Sequence, residues 1–283
     1  MEATLQKGFF KPQRFVQLLF RDFTSGYRST LIAMAAVAGA MILFAVLTAL
    51  GIRFGGQPRD LSGEFYFGFF TNILFIGGLI VSSLAFREAH RRGAGIFYIA
   101  IPASTFEKLA SKLLVTSLGY ALGTVIFITA LSALTEAILW LIFGFGLGFF
   151  NPMTMIVLYC LIGYLIAQSV FLLGSVWFKK AAFVKTVLWI ILFGIAATAV
   201  IIVILRILEP QYFDWGAYRT GSQAVSGASI KMTDEYLAGL FAPGTRAYAG
   251  CMAFFTIGKI LVYGVLAPVS WLAAYFKLGE IEV

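Results

Sequence analysis

Residues 30–52 read TLIAMAAVAGAMILFAVLTALGI, 23 consecutive residues without a charged side chain. About 18 apolar residues suffice to cross the roughly 30 Å hydrocarbon core of a bilayer as helix. Inside that core every backbone N–H and C=O needs a partner within the chain, so the segment has almost no choice but a transmembrane helix. The pattern recurs near residues 65–86, 112–134, 153–175, 183–205 and 250–276, which makes six spans. Composition agrees, with 60% hydrophobic and 12% charged residues against roughly 25% charged in a soluble domain. The ten-residue alternation of an outer-membrane barrel is missing. The expected fold class is therefore an all-α integral membrane protein, with residues 1–283 forming a single membrane domain.

The start, MEATLQKGFFKPQRFVQLLF, has no compact apolar core followed by a small-residue cleavage site, so no removable signal peptide is read and the first span should direct insertion. Lysines and arginines favour the cytoplasmic side of short loops. With the N-terminus inside, that side receives Lys7, Lys11, Arg14, Arg21 and Arg28, then Arg87, Arg91, Arg92, Lys108 and Lys112, then Lys179, Lys180 and Lys185, and finally Lys277. The outside receives Arg53, Arg59, Arg206, Arg219, Lys231 and Arg246, several of them in one long loop whose charges weigh little. Both termini are expected in the cytoplasm. Sidedness accounts for the net charge of +8, and no nucleic-acid partner is expected.

Residues 112–150 would run about 57 Å as one straight helix, too long for a single crossing. They must break or protrude. A full extra crossing would reverse the charge bias of everything after it, so EAILWLIFGFGLGFF (136–150) is read as a re-entrant or interfacial piece, loosened by Gly144, Gly146 and Gly148 before Asn151-Pro152. Before the first span, FKPQRFVQLLFRDF (10–23) sets Phe15, Leu18, Leu19 and Phe23 on one helical face, after a proline suited to a first turn. This is an amphipathic helix lying along the membrane interface, against lipid. Residues 207–249 form the one sizeable external insert, rich in Gly, Ser and aromatic residues, with Thr233 placed to cap a short helix through Leu240.

The chemistry the chain lacks is as informative. There is no G-x-x-x-x-G-K-[ST] phosphate loop, no H-E-x-x-H, no G-x-S-x-G and no aspartate cluster to hold metal. His90 is the sole histidine, and Cys160 and Cys251 lack metal-type spacing and read as small core residues. No catalytic residue, metal site or bound cofactor is expected, and the chain does not read as an enzyme. Two ionisable residues near or within spans stand out, because charge inside a bilayer is costly and faces protein or water. Lys259 falls about 15 Å from the outer end of the sixth span by helical rise. Glu136 falls near the outer boundary. Together they define a possible substrate pathway, and with it the alternative of an ATP-independent carrier or channel; each also has a plain explanation, snorkelling for Lys259 and an interfacial position for Glu136. Gly119-x-x-x-Gly123 marks a face where another helix could approach closely.

Between the second and third spans lies REAHRRGAGIFYIAIPASTFEKLASK (87–112). Arg87, Glu88, His90, Arg91 and Arg92 make a short charged element ended by Gly93 and Gly95. FYIAIP then closes on Pro102, and Ser104-Thr-Phe-Glu107 is a capping box that should start a helix leading through Lys108 into the third span. A positive-inside loop explains the arginines. Apolar FYIAIP among charges on the wet side suggests instead a docking surface for a cytoplasmic partner.

G-x-x-x-F-Y-x-x-x-P-A-S-x-x-E-K-x-x-S-K, here Gly93 through Lys112, is similar to the "LPAS-x-x-EK" region of uncharacterised permeases, with Ile101 where leucine is usual. WFKKAAFVKT after the fourth span also fits. With six spans, an amphipathic helix before the first, an external insert before the sixth and no nucleotide site, the chain resembles the membrane subunit of a bacterial ABC transporter, of the type-2 permease superfamily. The resemblance implies a multi-pass inner-membrane permease, read as an exporter, that pairs as a homodimer or with a second permease. It implies a separate cytoplasmic ABC ATPase holding ATP and Mg. Arg87, Glu88, His90, Arg91 and Arg92 would be the coupling helix contacting that ATPase, with Pro102, Ser104, Glu107 and Lys108 as the cap and lever behind it.

Overall fold

The computed structural model describes residues 10–24, 27–55, 64–90, 98, 100–208 and 256–282. Arg91, Arg92, much of FYIAIP, most of the external insert with Thr233, and Cys251 lie outside the described residues. Among the described residues there is no strand, and six helices are long and apolar enough to cross a membrane. An N-terminal helix, Pro12–Thr24, precedes them. The spans are Tyr27–Gly55, Glu64–His90, Thr105–Phe143, Met155–Trp177, Ala182–Leu208 and Thr256–Ile281, each overlapping its expected position.

The chain forms two compact units, one of residues 1–183 and 266–283, the other of residues 184–265. In the first, the fourth span packs against the Gly78–Ser83 half of the second span and against Leu266–Glu282 of the sixth. Lipid is as apolar as leucine, so helices in a bilayer associate through close packing and polar bonds rather than hydrophobic burial. The packing shows this. Fully buried Ala45 and Ala49 bring the first span close, against Tyr66, Phe70 and Leu74 of the second and Ile128 and Leu139 of the third. A second cluster joins Phe86, Tyr98, Leu109, Leu172, Val176, Ala274 and Leu278. In the second unit, residues 184–200 expose Val184, Leu188, Trp189, Phe193 and Ile195, as expected of a lipid-facing span.

The third span differs from expectation. It runs as helix for 39 residues, about 58 Å by rise, and does not break at Glu136. EAILWLIF holds no Gly or Pro, so nothing stops the helix until Gly144, which takes the left-handed conformation at φ 74° and ends it. Only residues 144–154 are irregular, and they fold back so that Leu147 and Phe150 are buried. At its other end Thr105–Leu114 meets the N-terminal helix. Gly119 and Gly123 are both exposed, and among the described residues a Cβ at either would meet no other helix. The second, third and sixth spans each contain one π-turn, at Ile73–Gly77, Val115–Gly119 and Leu261–Val265.

Candidate functional site

The N-terminal helix has three sides. Arg14, Phe15, Leu18, Leu19 and Asp22 turn toward the rest of the unit, with Leu18 and Asp22 buried. Val16, Phe20 and Phe23 form an exposed apolar stripe, Phe20 and Phe23 each 70% exposed. Gln13, Gln17 and Arg21 take the remaining side. Phe15, Leu18 and Leu19 thus share a face as the spacing indicated, whereas Phe23 belongs to the outer stripe. A helix with one side on protein, one apolar side free and one polar side is built for a membrane surface.

Two carboxylates attach this helix to the start of the third span. Ser104 caps that span, its Oγ accepting from Glu107 N–H at 3.2 Å while Glu107 Oε2 accepts from Ser104 N–H at 2.8 Å, so the capping box read from the sequence is formed in full. Glu107 does more than cap. Its side chain is fully buried, and its other oxygen, Oε1, accepts from the backbone N–H of Lys11 at 2.7 Å with the Arg14 guanidinium 3.7 Å away. Arg14 also donates to the Pro102 carbonyl at 3.1 Å. One turn beyond Glu107, Ser111 Oγ donates to Asp22 Oδ2 at 2.8 Å, and Lys112 Nζ lies 2.9 Å from Asp22 Oδ1. Charge-assisted bonds of this kind, made where water is excluded, are the strong ones.

A third tie reaches the charged element after the second span. Arg87–His90 is a single helical turn. Arg87 and Glu88 are exposed, and Glu88 lies 3.5 Å from Arg21 of the N-terminal helix. His90 is half-buried, one ring nitrogen 3.0 Å from the Val176 carbonyl at the end of the fourth span. Phe86, fully buried just before, anchors the turn edge-on against Tyr98.

One expectation for this segment is overturned. Tyr98 is buried and Ile101 half-buried in the cluster with Phe86 and Leu109, so those residues of the apolar stretch complete the chain's own core rather than present a docking surface. Lys108 is only 3% exposed, with its ammonium 5.1 Å above the Tyr98 ring, a cation–π placement that turns it inward. Arg14, Arg21, Asp22, Ser111 and Lys112 were not singled out as a group. Asp22 is the one acidic residue in a helix otherwise charged by arginine, and that was the signal available.

Far along the third span, the carboxylate of Glu136 accepts from Tyr66 Oη at 2.6 Å and from Leu147 N–H at 3.1 Å. A Cβ at Gly146 would overlap it, so this stretch of the returning loop needs glycine to lie there. Glu136 is thereby engaged in holding residues 144–150. Lys259 belongs to the second unit and is exposed on its helix. Among the described residues no three His, Cys, Asp or Glu side chains come together as metal ligands would. Compared with models of known families, with curated proteins and with solved structures, the chain gives no match.

Proposed function

We propose that this multi-pass membrane protein is the transmembrane subunit of an ATP-binding cassette transporter, moved by a separate cytoplasmic ATPase. The observation that carries the reading is the polar junction. Glu107 and Asp22 bond the N-terminal helix to the first turns of a 39-residue span, and the exposed Arg21–Glu88 pair sets the charged turn against that helix. A push delivered at Arg87 and Glu88 is then passed to the third span instead of being absorbed by a loose loop. Such rigid-body rocking is how a remote power stroke switches access across a membrane.

In this account Arg87, Glu88, Arg91 and Arg92 meet the ATPase, which holds ATP and Mg. His90 secures the turn to the fourth span, and Ser104 and Glu107 stiffen the lever. Two permease chains, identical or sister subunits, would bind two ATPases, with both termini in the cytoplasm. The ATP-independent carrier gains nothing from the geometry, since the carboxylate of Glu136 already serves Tyr66 and Leu147.

The test is charge reversal. Arg91→Glu with Arg92→Glu should release a co-purifying ATPase and abolish ATP-driven transport, while the membrane domain keeps its thermal transition. An ATPase that stays bound to the folded variant would remove those arginines from the interface.

A further inference from the structure

Where the second, third and fourth spans meet, both π-turns of the first unit fall together. A π-turn inserts one residue into an α-helix, leaves a carbonyl short of its usual partner and bends the axis, and such turns cluster at functional sites. Here two tyrosines supply what is missing. Tyr120, just past the third-span π-turn, donates to Ile73 O at the start of the second-span π-turn, at 2.8 Å. Tyr164 of the fourth span donates to Thr116 O within the third-span π-turn, at 2.5 Å. Gln168, one turn further along the fourth span, donates to Thr116 Oγ1 at 2.8 Å.

The fit is steric as well as polar. A Cβ at Gly77 would overlap the Tyr120 hydroxyl, and one at Gly78 would overlap the Tyr164 ring. Gln168 is fully buried, yet its Oε1 has no partner among the described residues. A buried amide oxygen left unpaired is costly, which makes this arrangement one that a second one could relieve.

We infer that Tyr164 and Gln168 are positioning residues for the transport movement, pinning a hinge at which the 64–72 half of the second span and the 120–143 half of the third swing together against the fourth. Tyr120 links the two swinging halves, so both bends change at once. Tyr164 and Gln168 hold the pivot at Thr116, and the unpaired Oε1 is the acceptor taken up in the other setting. The inference rests on the transport reading for its purpose, but the hinge is a property of this chain alone.

The experiment places spin labels at Leu141→Cys on the third span and Tyr159→Cys on the fourth, both exposed, with Cys160 and Cys251 replaced by serine. Distances are measured on the full chain in nanodiscs. Tyr164→Phe keeps the ring on Gly78 and deletes one bond, and Thr116→Val keeps the shape and deletes the hydroxyl that accepts from Gln168 while leaving Oε1 in place. Each should raise the ratio of a second distance population to the first by about three- to tenfold, the worth of one hydrogen bond. If Tyr164→Phe does not fold, Thr116→Val, which leaves the carbonyl that Tyr164 uses and loosens the same pivot through Gln168, carries the expectation alone. Distributions unchanged in the folded variants overturn the hinge, whether or not an ATPase binds. Variants that widen in the chain alone, with a parent that ATPase and nucleotide fail to shift, uphold the hinge and overturn the transport reading instead.

Discussion

Glu107 carries two jobs with one carboxylate, and its removal should show both. Deleting it removes the carboxylate that accepts from the N–H groups of Lys11 and Ser104 and that lies 3.7 Å from the Arg14 guanidinium. Glu107→Ala is expected to cost about 3 kcal/mol, the range for breaking a buried charged network. Ser104→Ala removes only the local cap and should cost about 1 kcal/mol. Thermal unfolding of the two variants in one detergent orders them. Asp22→Ala should resemble Glu107→Ala, because it leaves Lys112, 12% exposed at its side chain, without a partner. A drop no larger than that of Ser104→Ala would mean the junction is ornamental. The two carboxylates were unequally legible in the sequence. Ser104 and Glu107 sit three residues apart, and a capping box is a local pattern. Asp22 and Ser111 are 89 positions apart, and no periodicity links them.

At the scale of elements, helix existence was readable and helix ends were less so. Apolar runs place all six spans, because in a bilayer the backbone permits nothing else. The path of residues 136–150 turned on where the helix stops, and the glycine series decides that at Gly144 rather than at the charged residue eight positions earlier. The glycines that pack within the chain were hidden for a related reason. Spacing singled out Gly119 and Gly123, yet the glycines that neighbours need are Gly77, Gly78 and Gly146, whose requirement comes from Tyr120, Tyr164 and Glu136 on other elements or turns. Gly123→Ala should therefore leave the thermal transition unchanged or raise it, since alanine is the better helix former by up to about 1 kcal/mol. Gly78→Ala should lower it, by about 1–3 kcal/mol for overpacking against the Tyr164 ring. Equal tolerance at both positions would show that the second and fourth spans do not approach as described. The N-terminal helix adds a prediction of its own. Phe20→Glu with Phe23→Glu should weaken its hold on the membrane surface, and faster amide exchange across residues 12–24 in nanodiscs would report it.

For the whole molecule, composition fixed the class and the polar junction suggests the work. Residues 87–112 divide by burial. Tyr98, Ile101 and Lys108 turn inward, Arg87 and Glu88 remain outside, and the N-terminal helix joins the charged turn to the third span. None of that division was visible in the chain order, because it depends on which side of each short element faces the core. On the proposed reading another chain supplies the energy. The most direct measurement is purification of the full chain from its native membranes in mild detergent, followed by reconstitution into liposomes. A phosphate-loop ATPase should come with it in fixed proportion, hydrolyse ATP, and drive transport only when ATP is present on its side. Transport by the chain alone under an ion gradient, with no ATPase attached, would contradict the account.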